Sequence, residues 1–167
     1  MKKKIAILGS TGSIGKTTFN ILKKNKKDFD IILLSTNKNI KILLKQAYLF
    51  KVKNLIITDK KKFLEIKKKL SEEKIKVFNN FDDLDKIFKN KVDYTMSAIS
   101  GLNGLIPTMK IIKFTKSIAI AKKESIICAW HLIKNELIKR KTNFIPVDSG
   151  HFSIWSIIGE TCLLYTS

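Results

Sequence analysis

Arginine is almost absent from this chain. A single one, Arg140, stands among 33 basic residues against 14 acidic ones, for a formal net charge of +19. So large a charge invites a nucleic-acid reading. Proteins that read nucleic acid, however, favour the planar guanidinium, which makes bidentate contacts that an ammonium cannot. The lysines keep company with abundant Ile, Asn and Phe, residues of A/T-rich codons, and are spread along the chain, as at Lys23-Lys24, Lys26-Lys27, 60–62 and 67–69. Solvated helix faces account for them, and no nucleic-acid partner is expected. Cysteine is scarce too. Cys128 and Cys162 provide neither a disulfide framework nor metal-ligand spacing. No apolar run approaches the about 20 residues of a membrane span. The basic start Met1-Lys2-Lys3-Lys4 leads into an apolar run that ends at Gly9, too soon for a signal-peptide core of roughly 7–15 residues. A cytoplasmic address with no membrane partner is the expectation. Only two prolines, Pro107 and Pro146, occur in 167 residues, and no linker, repeat or low-complexity stretch divides them.

What is present is an alternation. Apolar runs of strand type occupy 5–8, 31–34, 55–57, 75–78, 92–96, 117–120 and 143–147. Helical patterns fill the intervals at 14–24, 40–50, 61–70, 81–88, 105–114 and 125–139. Strands alternating with helices predict an α/β fold, a Rossmann-like, doubly wound and mostly parallel sheet with helices on both faces. With 44% hydrophobic residues the chain can bury a real core.

The first strand runs into Gly9-Ser10-Thr11-Gly12-Ser13-Ile14-Gly15, and a helical pattern with Ile14, Phe19, Ile21 and Leu22 on or near one face follows at once. A buried strand feeding a glycine loop that opens a helix is the phosphate-cradling arrangement of dinucleotide-binding domains. Glycine serves the tight turn, the close approach to a pyrophosphate, and helix-on-strand packing. The spacing is G-x-x-G-x-x-G, so neither the usual G-x-G-x-x-G fingerprint nor the P-loop matches. By itself the loop is also consistent with a turn that binds nothing. Its place in the first strand–helix unit favours a nucleotide.

The end of the second strand lacks an acid. A domain that binds NAD normally places Asp or Glu there for the ribose 2′-hydroxyl; this chain has Asn37-Lys38-Asn39. A lysine at that point suits the 2′-phosphate of NADP, the alternative being an ordinary polar loop. Three later strand ends carry polar groups, at 97–101, at 121–125 with Lys123 and Glu124 opening a helix, and at 147–151 with Asp148 and His151. Ser125 could serve only as a helix N-cap. Asp148 is a plausible ligand for a hard cation, but one carboxylate is not a metal site.

Three motifs, G-S-T-G-S-I-G at the start, K-E-S at 123–125 and P-V-D-S followed by His151, stand in the order and at the separations of one family. From Lys4 to about Glu160 the chain resembles the 1-deoxy-D-xylulose 5-phosphate reductoisomerases. The resemblance implies dependence on NADPH and on a divalent metal (Mg²⁺, Mn²⁺ or Co²⁺). It also implies conversion of the sugar phosphate to 2-C-methyl-D-erythritol 4-phosphate in non-mevalonate isoprenoid synthesis, and a homodimer for the full-length protein. Gly9, Thr11, Gly12, Ser13, Ile14 and Gly15 then belong to the NADPH phosphate loop. Asn37, Lys38 and Asn39 match the segment that holds the adenosine phosphate. Lys122 and Glu124 match cofactor contacts, Lys123 a catalytic, substrate-binding lysine, Asp148 the catalytic metal ligand, and Ser149 and Gly150 the substrate-binding pair.

The chain departs from that family in three places. Lys122 replaces an asparagine. Gly150 replaces a glutamate that binds metal and substrate, and losing one of about three carboxylates should weaken a hard-cation site greatly. Members are also more than twice as long. The expected organisation is an NADPH-binding domain over 1–147, the start of a catalytic domain over 148–161, and a non-native tail over 162–167, whose Cys-Leu-Leu-Tyr-Thr-Ser resembles a translated sequencing-library adapter. As it stands the chain is expected to be an inactive fragment. The competing readings are another NADP-dependent dehydrogenase and a non-catalytic nucleotide-binding module.

Overall fold

Every strand among the described residues pairs in parallel, and the reason lies in the connections. Each of the first six is followed by a helical or looped return long enough to bring the chain back to the same end of the sheet. The computed structural model describes residues 1–121 and 123–147. Within them β1 (Lys3–Leu8), β2 (Phe29–Thr36), β3 (Asn54–Ile57), β4 (Lys76–Phe78), β5 (Val92–Ser97), β6 (Thr115–Ile120) and β7 (Asn143–Pro146) form one sheet of order β4-β3-β2-β1-β5-β6-β7. The helices are α1 (Ser13–Lys24), α2 (Ile40–Phe50), α3 (Lys60–Lys69), α4 (Leu84–Ile87), α5 (Leu105–Ile111) and α6 (Lys123–Arg140). The expected doubly wound fold is present, and the sheet is wholly parallel.

Side-chain alternation sorts the core into two layers. Ile5 and Ile7 of β1 face a cluster completed by Phe19 and Leu22 of α1, Leu43, Ala47 and Phe50 of α2, and Ile66 of α3. Ala6 and Leu8 face the opposite cluster, with Leu84 of α4, Ile111 of α5, and Ile133 and Leu137 of α6. Phe19 meets Phe50 edge-on at 5.2 Å between ring centroids, a geometry worth roughly 0.5–1.5 kcal/mol beyond the area it buries. The β1–β2 register skips Ile32, so that Ile5 pairs with Ile31 but Ala6 with Leu33. This extra residue breaks the alternation, so that Ile32 and Leu33 share one layer while Ile31 and Leu34 share the other. The Asn54 amide donates to the Ile32 carbonyl at 3.0 Å.

Several expected bounds shift. The 81–88 pattern yields only the single turn α4, because Asn80 and Asp83 divert the chain into bends. The 105–114 pattern ends as a helix at Ile111 and tightens to a 3₁₀ turn over Ile112–Phe114. Ser125 is no cap, since α6 already begins at Lys123; a break at Ala129 (φ −140°, ψ 23°) interrupts that helix. On α1 the buried face is Gly15, Thr18, Phe19 and Leu22, and Ile21 lies off it.

Candidate nucleotide site

The order of the strands creates the site. From β1 the chain steps outward through β2, β3 and β4, then returns to the other side of β1 to lay down β5. The connections leaving β1 and β5 therefore diverge, and a crevice opens beyond their carboxyl ends. A cleft of about 790 Å³ lies there, lined by Gly9, Thr11 and Gly12 after β1, Asn37 after β2, Thr58 after β3 and Ala98 after β5, among others.

The three loop glycines do different things. Gly9 has φ +74°, the left-handed region that L side chains avoid, and a Cβ there would stand 3.0 Å from the Ala98 carbonyl carbon. A Cβ on Gly15 would stand 2.2 Å from the Gly9 carbonyl oxygen and 2.7 Å from Ser10 Cα, so α1 packs onto its own loop only through glycine. Gly12 is the exception. A Cβ there would meet nothing nearer than the Gly9 oxygen at 3.5 Å, an ordinary contact. Nothing among the described residues requires glycine at the one loop position that is both exposed to the cleft and the first residue flanking α1. No side chain caps α1, and its first turn carries no acid, which is the composition of an anion-accepting helix start.

The loop is held from beneath. The Gly9 amide donates to Ser35 Oγ at 2.9 Å and the Ser10 amide to the Ser35 carbonyl at 2.9 Å. Ser10 Oγ donates to Gln46 Oε1 at 2.7 Å, and Gln46 Nε2 donates back to the Ser10 carbonyl at 3.0 Å. Ser10, Ser35 and Gln46 are all buried. Thr11 and Thr36 share a hydroxyl–hydroxyl bond of 2.6 Å, and Asn37 Nδ2 donates to Thr58 Oγ1 at 2.8 Å.

Of the residues singled out from sequence, the fold brings Gly9, Thr11, Gly12 and Asn37 to the cleft. Gly15 lies beneath the loop, Ser13 and Ile14 begin α1, and Ile14 packs against the core. Asn39 accepts from the Ile42 amide at 3.3 Å and so caps α2. Lys38 is largely exposed, with its ammonium 3.9 Å from Asp59 Oδ2; the other Asp59 oxygen accepts from the Lys62 amide at 2.9 Å and caps α3. Lys123 and Glu124 open α6 after β6. Lys122, Asp148, Ser149, Gly150 and His151, together with 152–167, lie outside the described residues. Among the described residues no three His, Cys, Asp or Glu side chains gather closely enough to hold a metal ion, so the described part does not by itself fit the implied cation. No described helix is long and apolar enough to cross a membrane.

Sequence reasoning missed Ser35, Gln46 and Asp59. Gln46 carried a readable signal, since it is the one polar residue on the buried Leu43, Gln46, Ala47, Phe50 face of α2. Asp59 showed the N-cap pattern ahead of a lysine-rich helix. Ser35 gave no signal beyond its place near a strand end.

A crevice at the switch point of a doubly wound parallel sheet, entered by a glycine loop and an uncapped helix, defines a Rossmann-like α/β domain of the kind that holds nucleotides. A family profile described as 1-deoxy-D-xylulose 5-phosphate reductoisomerase matches residues 5–130. The chain is 62% identical over 158 residues to the 1-deoxy-D-xylulose 5-phosphate reductoisomerase of Pelagibacter ubique (strain HTCC1062), covering 93% of this chain and 41% of that protein. The Zymomonas mobilis reductoisomerase solved in complex with NADPH is similar at TM-score 0.79 and 30% identity, over 89% of this chain and 39% of that one. A DOX-P reductoisomerase structure with NADPH, fosmidomycin and magnesium is similar at TM-score 0.79 and 26% identity, over 87% of this chain and 36% of that one. The chain belongs to the 1-deoxy-D-xylulose 5-phosphate reductoisomerase family. It spans about 40% of the length of the curated relatives it matches.

Proposed function

We propose that this chain is the NADPH-binding part of a reductoisomerase that converts 1-deoxy-D-xylulose 5-phosphate to 2-C-methyl-D-erythritol 4-phosphate, and that alone it holds the cofactor without turning over the sugar. The observation that carries the first half is Gly12, a glycine that the fold itself does not need, placed at the mouth of the cleft and at the uncapped start of α1. A pyrophosphate seated there would take the place a Cβ would occupy and receive the first-turn amides. Lys38 would meet the 2′-phosphate, and Asn37 and Asn39 would flank it. Family membership and the NADPH complex of the Zymomonas mobilis relative support the choice of cofactor.

The remaining assignments belong to the same proposal. Lys122 and Glu124 would contact the cofactor, and Lys123, Ser149 and the backbone of Gly150 would face the substrate. Asp148 would contribute to a divalent cation, which when bound supplies a Lewis acid for the substrate oxygens. Gly150 offers no second carboxylate, and this is the reason to expect no turnover. The proposed organisation is an NADPH-binding domain over 1–147, the start of a catalytic domain over 148–161 and a non-native tail over 162–167. The full-length protein is proposed to act in the cytoplasm as a homodimer. Fluorescence titration with NADPH and NADH tests the reading: saturable binding with NADPH preferred is expected, and no binding of either refutes it. Detectable turnover of the sugar phosphate by this chain would refute the second half.

A further inference from the structure

One of the buried polar groups that hold the loop comes from outside it. Gln46 sits on α2, 36 positions from Ser10 in sequence, and only 4% of it is exposed. Its flanking residues on that face, Leu43, Ala47 and Phe50, are apolar core. A primary amide in such surroundings is costly unless both of its ends are bonded. Both are bonded to a single residue: Oε1 accepts from Ser10 Oγ and Nε2 donates to the Ser10 carbonyl. The other side of the same residue is tied to β2, because the Ser10 amide donates to the Ser35 carbonyl, and the preceding Gly9 amide donates to Ser35 Oγ. Ser10 is thus clamped between a strand and a helix, both already fixed by core packing. The next two residues, Thr11 and Gly12, line the cleft.

We infer that Gln46 is a positioning residue for the phosphate loop, fixing the Ser10 peptide and through it the direction in which Thr11, Gly12 and the first turn of α1 meet a pyrophosphate. The inference rests on the cofactor reading proposed above. It makes a distinction that a general contribution to stability does not. Ligands that use the loop depend on Gln46; ligands that use only the Lys38 end of the cleft do not. NADPH spans both ends, whereas 2′-AMP has the 2′-phosphate and no 5′-phosphate for the loop.

The test is titration of NADPH and 2′-AMP against the wild-type chain and the Gln46→Met, Ser10→Ala and double variants, well below their melting temperatures. Gln46→Met is expected to weaken NADPH about tenfold, the affinity equivalent of roughly one hydrogen bond, and to leave 2′-AMP within about twofold. Ser10→Ala is expected to weaken NADPH less. The double variant should be close to Gln46→Met, since both changes cut the Ser10–Gln46 linkage and Ser10→Ala adds only the loss of the longer 3.3 Å bond from Ser10 Oγ to the Ser35 carbonyl. Equal weakening of both ligands, or wild-type NADPH affinity in Gln46→Met, overturns the inference. If Gln46→Met does not fold, Ser10→Ala carries the same comparison of the two ligands. If the wild-type chain binds neither ligand, the cofactor reading itself fails, a result distinct from loss in the variants alone.

Discussion

Replacing Gly15 and Gly12 by alanine adds the same methyl group three residues apart, and the two changes should fail in opposite ways. At Gly15 the new Cβ would stand 2.2 Å from the Gly9 carbonyl oxygen and under 3 Å from Ser10 Cα and carbonyl carbon. These are backbone atoms, and Gly9 has little room to retreat, because a Cβ built on it would already stand 3.0 Å from the Ala98 carbonyl just past β5. The start of α1 must lift instead, loosening Thr18, Phe19 and Leu22, which are buried below it. Overpacking of this kind costs about 1–3 kcal/mol, and contact with backbone puts Gly15→Ala at the upper end. For a chain of this size that is a fall in melting temperature of roughly 6–12 °C. At Gly12 the methyl meets only ordinary contact. The weaker capping by alanine, a few tenths of a kcal/mol or roughly up to 1, is offset by a similar loss of unfolded-state freedom. Gly12→Ala is therefore expected to melt within about 2 °C of wild type and to lose NADPH affinity by at least about tenfold, because its methyl occupies the cleft at the proposed phosphate position. Differential scanning fluorimetry and cofactor titration on the two variants read both quantities. A Gly12→Ala chain that binds NADPH normally would refute the assignment of that position to the pyrophosphate. A Gly15→Ala chain with wild-type stability would refute the packing argument.

Asp59→Asn is expected to tighten NADPH and leave NADH unchanged. Asparagine keeps an oxygen for the Lys62 amide and so keeps the α3 cap, but it removes the carboxylate that holds Lys38 at 3.9 Å. A unit charge at that distance in water is worth about 1 kcal/mol, so the gain reaches up to about fivefold; equal tightening of both cofactors would count against Lys38 as the 2′-phosphate ligand. Asp93 lies at the opposite end of the sheet. Burial pushes its carboxyl up, but hydrogen bonds from the Lys116 ammonium and the Lys4 amide, with the charges of Lys116 and Lys3, carry it net below the usual range. A carboxyl with a lowered folded-state value contributes stability above its unfolded value and loses it as pH falls through the folded one. Asp93→Asn should therefore lower the melting temperature at pH 7 by a small amount, in keeping with about 0.2–1 kcal/mol for an exposed pair. That deficit should shrink as pH falls below about 4, and chemical denaturation at several pH values would expose a constant deficit if the reasoning is wrong.

The fold was legible because its signals are local. Alternation placed the seven strands and six α-helices of the described residues, and the glycine spacing located the loop, since each depends on near neighbours in sequence. The limits came from tertiary contacts. The 81–88 pattern has helical spacing, yet Phe81 and Phe88 reach the core from bends on either side of a single turn. The cleft was legible in Gly9, Thr11, Gly12 and Asn37, which line it, and not in the residues that support them. Gln46 reaches Ser10 across 36 residues, and no local pattern records such a pairing. What the sequence did show was an amide on an apolar helix face, which carries a desolvation cost unless something buried answers it.

The charge of the chain and the chemistry of the cleft point in different directions, and their difference is informative. A net charge of +19 would suggest that phosphates are held by lysine contacts. Yet among the described residues those lining the cleft are uncharged: Gly, Ser, Thr, Asn, Ala, Ile, Phe and Pro. Lys38 stands outside that lining and already shares its charge with Asp59. Recognition at the proposed pyrophosphate position therefore falls to backbone amides and the α1 dipole, which are fixed by the fold and cost no side-chain ordering when a ligand arrives. The distributed lysines act at longer range, as a positive field that draws anions toward the surface and is damped by salt beyond about 10 Å at 0.1 M. On the proposed reading, the same separation would make precision in this site depend on Gly12, Gly15 and the Ser10–Gln46 clamp. A site built from mobile ammonium groups tolerates a loop displaced by an ångström, whereas one built from oriented amides does not.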